Sequence, residues 1–338
     1  MSDTQRRYLI VGPSWVGDMV MAQSLFITLK ELYPDCLIDV IAPEWSLPIL
    51  ERMPQINQGI ALAIGHGEFS LKKRIKKGRS LRVHGYTHSI VLPRSWKSAL
   101  VPFFSGAKIR TGFRGEMRYG LLNDIRHLDK KVLKQTVQRY VAHAYKPDLD
   151  QTPAIPFPRL EVDMINHERL VETLKLNLVR PVIAMMPGAE YGPAKQWPAK
   201  YYRELAALLV EKGYQVWVIG SAKEKELGQT IVDGLGEYAI NLSGQTELVD
   251  TVDLLSCVEQ VVTNDSGLMH VAAAVGTKLN VIYGSSTPDY TPPLSSKEKL
   301  NVFYLDLDCS PCFKRICPLG HTNCLLNITA EDIYLKII

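Results

Sequence analysis

The second half of the chain alternates short apolar runs with longer segments of helical periodicity. Apolar runs occur in "PVIAMM", "YQVWVIG", "YAINLSG", "EQVVTND" and "KLNVIYG". Between them, segments such as "AKYYRELAALLVEKG" repeat apolar residues three and four positions apart, which predicts helices with one buried face. Strands that alternate with helices indicate a parallel sheet covered by helices. The final segment, "NITAEDIYLKII", predicts one more helix, with Thr329 as its N-cap.

The first half of the chain opens with the same alternation of strand and helix patterns. Residues 8–11 form an apolar run that predicts a buried strand, and residues 37–41 predict a second one. Between the two runs, Met19, Leu25, Leu29 and Leu32 share one helical face. This is the pattern of a βαβ unit, so the first half predicts a second parallel sheet.

A proline-rich segment separates the two halves. Pro147, Pro153, Pro156 and Pro158 crowd into a dozen residues, and proline at that density ends helices and central strands. We therefore predict an N-terminal domain at residues 1–155 and a C-terminal domain at 156–338, with the last helix as a candidate to pack back on the first domain. The predicted fold class is α/β, with two Rossmann-like parallel-sheet domains facing each other across a ligand-binding cleft.

Composition narrows the class of protein. The 338 residues are 46% hydrophobic and 22% charged, which is typical of globular domains. A net charge of +4 is too small to indicate nucleic-acid binding by itself. No run approaches the length of a membrane span, and the start of the chain does not resemble a signal peptide, so we expect a cytoplasmic protein.

A polar corner interrupts the C-terminal half at "TNDSGLMHVAAAVG". A strand runs into Asp265, Ser266 and Gly267, and a helix that carries His270 follows. The N-terminus of a helix favours phosphate, and glycine allows close approach of the backbone. Asp265 would repel a phosphate, so we expect it to take a hydroxyl or a backbone N–H. The alternatives are a simple Asp/Ser N-cap and a core histidine.

The first strand ends in "GPSWVGDM". These glycines have the spacing of a phosphate loop, but Asp18 stands where such a loop carries lysine, which disfavours an NTPase. The dinucleotide fingerprint G-x-G-x-x-G is absent as well, which weakens a dehydrogenase interpretation. A carboxylate at the mouth of a sheet suits a general base. An N-cap role for Asp18 is an equal alternative.

Two further segments carry candidate donor-binding residues. In "MPGAEYGPAKQWP", Gly188 follows a strand and Lys195 lies in the next loop, where it could meet phosphate as a point charge. In "VIGSAKEKE", Glu224 lies just past a strand, a position from which acids accept ribose hydroxyls. A solvated loop lysine and an exposed helix-start glutamate are the alternatives, and Glu226 lies on the same turn as Glu224.

These segments, together with "VLPRSWKSALVPFFSGAKIRTGFRGEMRYGLLNDIR", resemble the ADP-heptose:lipopolysaccharide heptosyltransferases of glycosyltransferase family 9, which have the GT-B fold. The resemblance covers about residues 8–295, and the long middle motif resembles the subfamily that adds the second heptose. It implies an inverting, metal-independent transfer of heptose from ADP-L-glycero-β-D-manno-heptose to the first heptose of heptosyl-Kdo-lipid A. Asp148 with Asp150 and Asp306 with Asp308 form D-x-D pairs, which we interpret as loop acids.

The resemblance also assigns roles to the candidate residues. It implies that Asp18 is the catalytic base and that Lys195 meets the donor diphosphate. Donor binding is implied for Gly188, Glu224, Asp265, Ser266, Gly267 and His270, and acceptor binding for Arg110, Arg114 and Arg118. No cofactor or metal is implied.

The acceptor that the resemblance implies is anionic and embedded in a membrane, which draws attention to residues 71–82. This segment, "LKKRIKKGRSLR", has seven basic residues and no acid. Peripheral contact with the cytoplasmic face of the inner membrane would use such charges, each of which contributes about 1 kcal/mol near an anionic surface. A solvated helix face is the alternative.

Two other functions stay open. One is transfer to a different acceptor, Kdo-lipid A, by an enzyme of the same family. The other is a non-catalytic sugar-nucleotide-binding protein of the same fold.

Six cysteines fall into two classes. Cys36 and Cys257 lie in apolar segments and are expected in the core. The other four lie close together in "CSPCFKRICPLGHTNC", as Cys309, Cys312, Cys317 and Cys324, with His321 nearby. The C-x2-C-x4-C-x6-C spacing is not a standard zinc pattern, so reduced thiols and a structural metal are both open.

Overall fold

The computed structural model describes residues 5–64, 69–147 and 151–338. It divides into two compact units, Met1–Pro158 and Arg159–Ile338. The division falls inside the proline-rich segment of the sequence, and each unit has its own parallel sheet.

Within its described residues, the first unit contains one sheet and five α-helices. The strands are β1 (Arg7–Val11), β2 (Leu37–Ala42), β3 (Gln58–Ala61), β4 (His88–Val91), β5 (Ile109–Phe113) and β6 (Asp124–Arg126). The helices are α1 (Val16–Leu32), α2 (Leu47–Glu51), α3 (Leu71–Ser80), α4 (Leu100–Phe104) and α5 (Thr136–Val141).

The strand order of this sheet is β3-β2-β1-β4-β5-β6, and its ladders are parallel. Val11 at the end of β1 pairs with Ile41 of β2 on one side and with Val91 of β4 on the other. The winding of the chain therefore reverses between β1 and β4, which is the Rossmann order and the place where open α/β sheets bind ligands.

The second unit repeats this plan. Its strands are β7 (Val182–Met186), β8 (Gln215–Val218), β9 (Ala239–Asn241), β10 (Gln260–Asn264), β11 (Lys278–Ile282) and β12 (Leu300–Phe303). Its α-helices are α6 (Met164–Thr173), α7 (Ala199–Glu211), α8 (Lys225–Val232), α9 (Leu248–Leu255), α10 (Gly267–Val275), α11 (Asn323–Leu326) and α12 (Ala330–Ile337).

The order β12-β11-β10-β7-β8-β9 is the same topology with the reversal between β7 and β10. Met186 at the end of β7 pairs with Thr263 of β10, so the loops after these two strands begin side by side. Fully buried apolar side chains such as Ile183, Val216 and Val262 fill the strands, because a sheet covered on both faces has no solvated side.

The last helix, α12, packs in the core of the second unit. Ile333 and Ile337 belong to the same hydrophobic cluster as Leu205 and Leu209 of α7. Thr329 caps the helix as predicted: its hydroxyl accepts the backbone N–H of Asp332, whose carboxylate accepts from Thr329 in return.

Candidate active site

The candidate residues form two groups, one in each unit. In the first unit, Asp18 lies in the first turn of α1, just beyond the end of β1. Trp15, not Asp18, occupies the N-cap position of this helix. The N-cap alternative for Asp18 is therefore wrong, although a carboxylate in the first turn is still favoured by the helix dipole.

Asp18 is half-buried and is hydrogen-bonded by a residue far away in the sequence. The hydroxyl of Tyr140 on α5 donates to Asp18 Oδ1 at 2.9 Å. Helices α1 and α5 pack together, and this packing sets the distance. Tyr140 is a site residue that the sequence patterns do not reveal, because nothing local links it to Asp18.

In the second unit, Lys195 and Asp265 meet across 70 positions of sequence. Lys195 ends a short 3-10 helix, Pro193–Lys195, in the loop after β7, and Asp265 follows β10. Lys195 Nζ lies 2.5 Å from Asp265 Oδ2, and the hydroxyl of Ser286 donates to the same oxygen at 2.5 Å. The Asp265 side chain is only 4% exposed and that of Lys195 is 17% exposed. The expectation that Asp265 takes a hydroxyl is confirmed, and its partnership with Lys195 is new.

Asn264 joins the same two loops and is absent from the sequence predictions. Its side-chain amide donates to the carbonyl of Pro187 at 2.8 Å, and its Oδ1 accepts the backbone N–H of Trp197 at 3.0 Å. Asn264 is fully buried, so these bonds satisfy its polar atoms and fix the loop that carries Lys195 against β10. A polar residue at the end of an apolar strand is the sequence feature that could have identified Asn264.

Helix α10 begins directly at this corner. Ser266 is its N-cap residue, but its side chain makes no capping hydrogen bond. Gly267 opens the helix without a side chain, which leaves the first N–H groups of α10 able to meet an anion.

His270 lies one turn into α10 and is buried. Burial lowers the pKa of His270 to about 4, and Lys195 acts in the same direction, while Asp265 opposes the shift. The imidazole is therefore neutral at physiological pH and can donate or accept a hydrogen bond without adding charge.

Glu224 and Gly188 are neighbours at the end of β8 and β7. Glu224 Oε2 accepts both the backbone N–H and the hydroxyl of Ser221, at 2.8 and 2.6 Å, in a capping box. A Cβ at Gly188 would lie 3.1 Å from Glu224 Cδ, so a side chain there would press on the Glu224 carboxylate. Glu226, the alternative to Glu224, is exposed.

The three arginines of "RTGFRGEMR" lie in different surroundings. Arg118 is 1% exposed, and its guanidinium donates to the main-chain carbonyls of Pro93, at 2.7 Å, and Phe113. Burial lowers the pKa of Arg118 to about 10. The prediction that Arg118 binds the acceptor is corrected: this side chain joins the loops after β4 and β5 inside the unit.

Arg110 and Arg114 are more accessible. Arg110 is half-buried and donates to the carbonyls of Leu121 and Ala107, each at 2.7 Å. Arg114 is exposed, and the hydrogen bonds described for it use only its backbone. Arg114 therefore presents a guanidinium at the carboxyl end of β5.

The remaining candidates from the sequence are the two D-x-D pairs and the basic segment at residues 71–82. Asp148 and Asp150 lie outside the described residues, and Asp306 accepts from Tyr304 at 3.1 Å. The basic run forms α3, in which Lys72, Lys73, Lys76 and Arg79 are exposed while Arg74 is buried. Across the ranges that the structure describes, each helix is too short or too polar to span a bilayer.

Comparison with known proteins gives this arrangement a family. Residues 74–323 match the model of glycosyltransferase family 9 (heptosyltransferase). The chain is 48% identical over 336 residues to "Lipopolysaccharide heptosyltransferase 2" of Escherichia coli K12, which covers 97% of this chain and 96% of the relative. It is 46% identical to "Lipooligosaccharide heptosyltransferase 2" of Haemophilus influenzae, with 97% of each chain covered.

Solved structures agree with this. The structure of E. coli ADP-heptose lipopolysaccharide heptosyltransferase II superposes with a TM-score of 0.86 at 42% identity, over 98% of this chain and 97% of that one. A family 9 glycosyltransferase from Veillonella parvula has a TM-score of 0.85 at 20% identity, over 99% of this chain and 97% of that one, and shares the fold. The predicted fold, two Rossmann-like parallel-sheet units of the GT-B type, is confirmed, and the chain belongs to glycosyltransferase family 9, the heptosyltransferases.

Proposed function

We propose that this chain transfers L-glycero-D-manno-heptose from ADP-L-glycero-β-D-manno-heptose to the first heptose of the lipopolysaccharide inner core, with inversion at the anomeric carbon. The observation that carries the proposal is the pairing of Lys195 with Asp265. The pair lies where the strand order of the second sheet reverses, beside the N-terminus of helix α10. Full-length similarity to proteins named heptosyltransferase 2 supports the choice of donor and acceptor.

Lys195 and α10 are the groups that would hold the donor. An ammonium group has three N–H donors, and the bond to Asp265 uses one of them. The remaining two, with the N–H groups at the start of α10, would stabilise the negative charge that develops on ADP as it leaves. Glu224 Oε1 is the carboxylate oxygen that the capping box leaves for a ribose hydroxyl.

Asp18 would act on the acceptor. As an acceptor hydroxyl oxygen attacks the anomeric carbon, the bond from that carbon to the ADP oxygen breaks and the hydroxyl proton passes to the Asp18 carboxylate. Tyr140, which donates to Oδ1, would fix the orientation of the carboxylate during this step. The residues that take part need no metal ion or cofactor for this displacement.

The first unit would also hold the anionic acceptor at a membrane. Arg110 and Arg114 are the candidates for contact with core phosphates, and α3 presents exposed lysines toward solvent. We propose that the chain works at the cytoplasmic face of the inner membrane, where each such charge contributes about 1 kcal/mol of attraction to anionic lipid.

A product assay with two defined acceptors tests the proposal. The purified chain is incubated with ADP-heptose and either heptosyl-Kdo-lipid A or Kdo-lipid A, and products are identified by mass spectrometry. We expect one added heptose on the first acceptor only. Transfer to Kdo-lipid A alone would show that the chain acts on the alternative acceptor. Binding of ADP-heptose without transfer to either acceptor would indicate a non-catalytic sugar-nucleotide-binding protein.

A further inference from the structure

Four cysteines in the second unit surround one small cavity. Cys309, Cys312, Cys317 and Cys324 line a space of about 20 Å³. All four are free thiols, and each is partly buried. A space of this size holds a single atom as large as a water oxygen.

Four free cysteines around one cavity of atomic size point to a metal ion, because thiolates are ligands that zinc prefers. We propose that Cys309, Cys312, Cys317 and Cys324 bind one zinc ion through four thiolates. Four protein ligands close the coordination shell of tetrahedral zinc, so the site is structural and leaves no position for substrate. It is distinct from the glycosyl-transfer chemistry, for which no metal is invoked.

Zinc binding would draw together the loop that carries Cys309 to Cys324. Among the described residues, no three Cys, His, Asp or Glu side chains are already placed to hold a metal ion. Zinc–sulfur bonds are about 2.3 Å long, so binding would require the four sulfurs to approach one common point. His321 is not needed as a ligand, since its Nδ1 accepts the backbone N–H of Asn323 at 3.0 Å.

The loop that carries the four cysteines, residues 309–324, contacts the segments next to Lys195 and Ser286. Ala194 donates its backbone N–H to the carbonyl of Arg315 at 3.1 Å, and Phe313 donates to the carbonyl of Ser285 at 2.7 Å. A Cβ at Gly192 would lie only 2.6 Å from the Arg315 carbonyl oxygen, so this packing is tight. The metal would therefore hold in place the backbone that supports the Lys195–Asp265 pair.

Metal content, measured without any substrate, tests the proposal separately from catalysis. The full chain is purified under reducing conditions without added metal, and its metals are quantified by inductively coupled plasma mass spectrometry. We expect about one zinc per chain. Cys309→Ser and Cys317→Ser should lose it, whereas Cys257→Ser, a cysteine outside the cluster, and His321→Ala should retain it.

A second measurement on the unmodified chain covers the case in which the serine variants do not fold. Thiol-reactive reagent is added to the native protein before and after chelation, and we expect four additional reactive cysteines after the metal is removed. Folded protein that contains no metal and has all four thiols reactive from the start would overturn the proposal. A protein mass that is lower by the hydrogens lost when a disulfide forms would also overturn the proposal. One iron per chain would overturn the assignment to zinc.

Discussion

Asp18 and Asp265 both lie at the carboxyl edge of a parallel sheet where the winding reverses, yet their surroundings differ. Asp18 is half-buried, and the bond described for it comes from the neutral hydroxyl of Tyr140. Asp265 is almost fully buried and is held by the ammonium of Lys195 and the hydroxyl of Ser286 on a single oxygen. Asp265 thus anchors a cation, whereas we propose that Asp18 takes a proton from the acceptor.

Loss of the Asp18 carboxylate should have the largest effect. Asp18→Asn keeps the size of the side chain but cannot accept a proton, so we expect turnover to fall about 100- to 10,000-fold. Asp35→Asn, an exposed position in the same unit, is the control and should match the parent. Steady-state rates with saturating acceptor provide the measurement, and near-parental turnover of Asp18→Asn would remove Asp18 from the mechanism.

Removal of the Lys195 ammonium should come next. Lys195→Ala deletes the point charge that we propose stabilises the leaving diphosphate, and such losses typically cost about 100-fold or more in turnover. Lys200→Ala, an exposed lysine at the start of α7, serves as the control. Equal rates for the two variants would show that the ion pair of Lys195 with Asp265 takes no part in turnover.

Ser286 offers a finer test of how the pair is held. Ser286→Ala removes one of the two donors to Asp265, and we expect about a tenfold loss of kcat/KM for the donor, because hydrogen bonds to charged groups contribute about 1.5–3 kcal/mol. The adjacent Ser285→Ala is a matched control, since the buried Ser285 hydroxyl has no partner in the described structure. A larger loss at Ser285 than at Ser286 would contradict the proposed anchoring.

The smallest effect is expected at Arg114. Arg114→Ala should raise KM for the acceptor a few-fold without changing the melting temperature, since its guanidinium is exposed. Arg118→Ala should instead lower the melting temperature by several degrees, because the carbonyls of Pro93 and Phe113 both lose the donor that this buried side chain supplies. If the two variants behave alike in both thermal unfolding and acceptor kinetics, the distinction between them is wrong.

The sequence could predict what depends on local pattern. Apolar runs and helical periodicity predicted β7 to β11 of the second unit but not the edge strand β12, and Thr329 marked the start of α12. Asp18, Lys195 and Asp265 were predicted because each follows a strand at a recognisable corner. The resemblance to family 9 supplied the acceptor, which no local pattern contains.

Contacts between distant segments could not be predicted. The Lys195–Asp265 bond spans 70 positions and depends on β7 and β10 being neighbours, which strand order alone decides. Similarly, Arg114 and Arg118 look alike in the sequence. Only the fold of the loop beyond β5 buries one and exposes the other.

The proposed division of labour, with the donor bound by the second unit and the acceptor proton taken by Asp18, can be tested most directly by donor affinity. Binding of ADP-heptose to Asp18→Asn and to Lys195→Met is measured by isothermal titration calorimetry in the absence of acceptor. If Asp18 handles only the acceptor proton, Asp18→Asn binds the donor within about twofold of the parent, while Lys195→Met binds it about tenfold more weakly or worse, a loss of at least one charge-assisted contact. Equal weakening of donor binding in both variants would contradict the account.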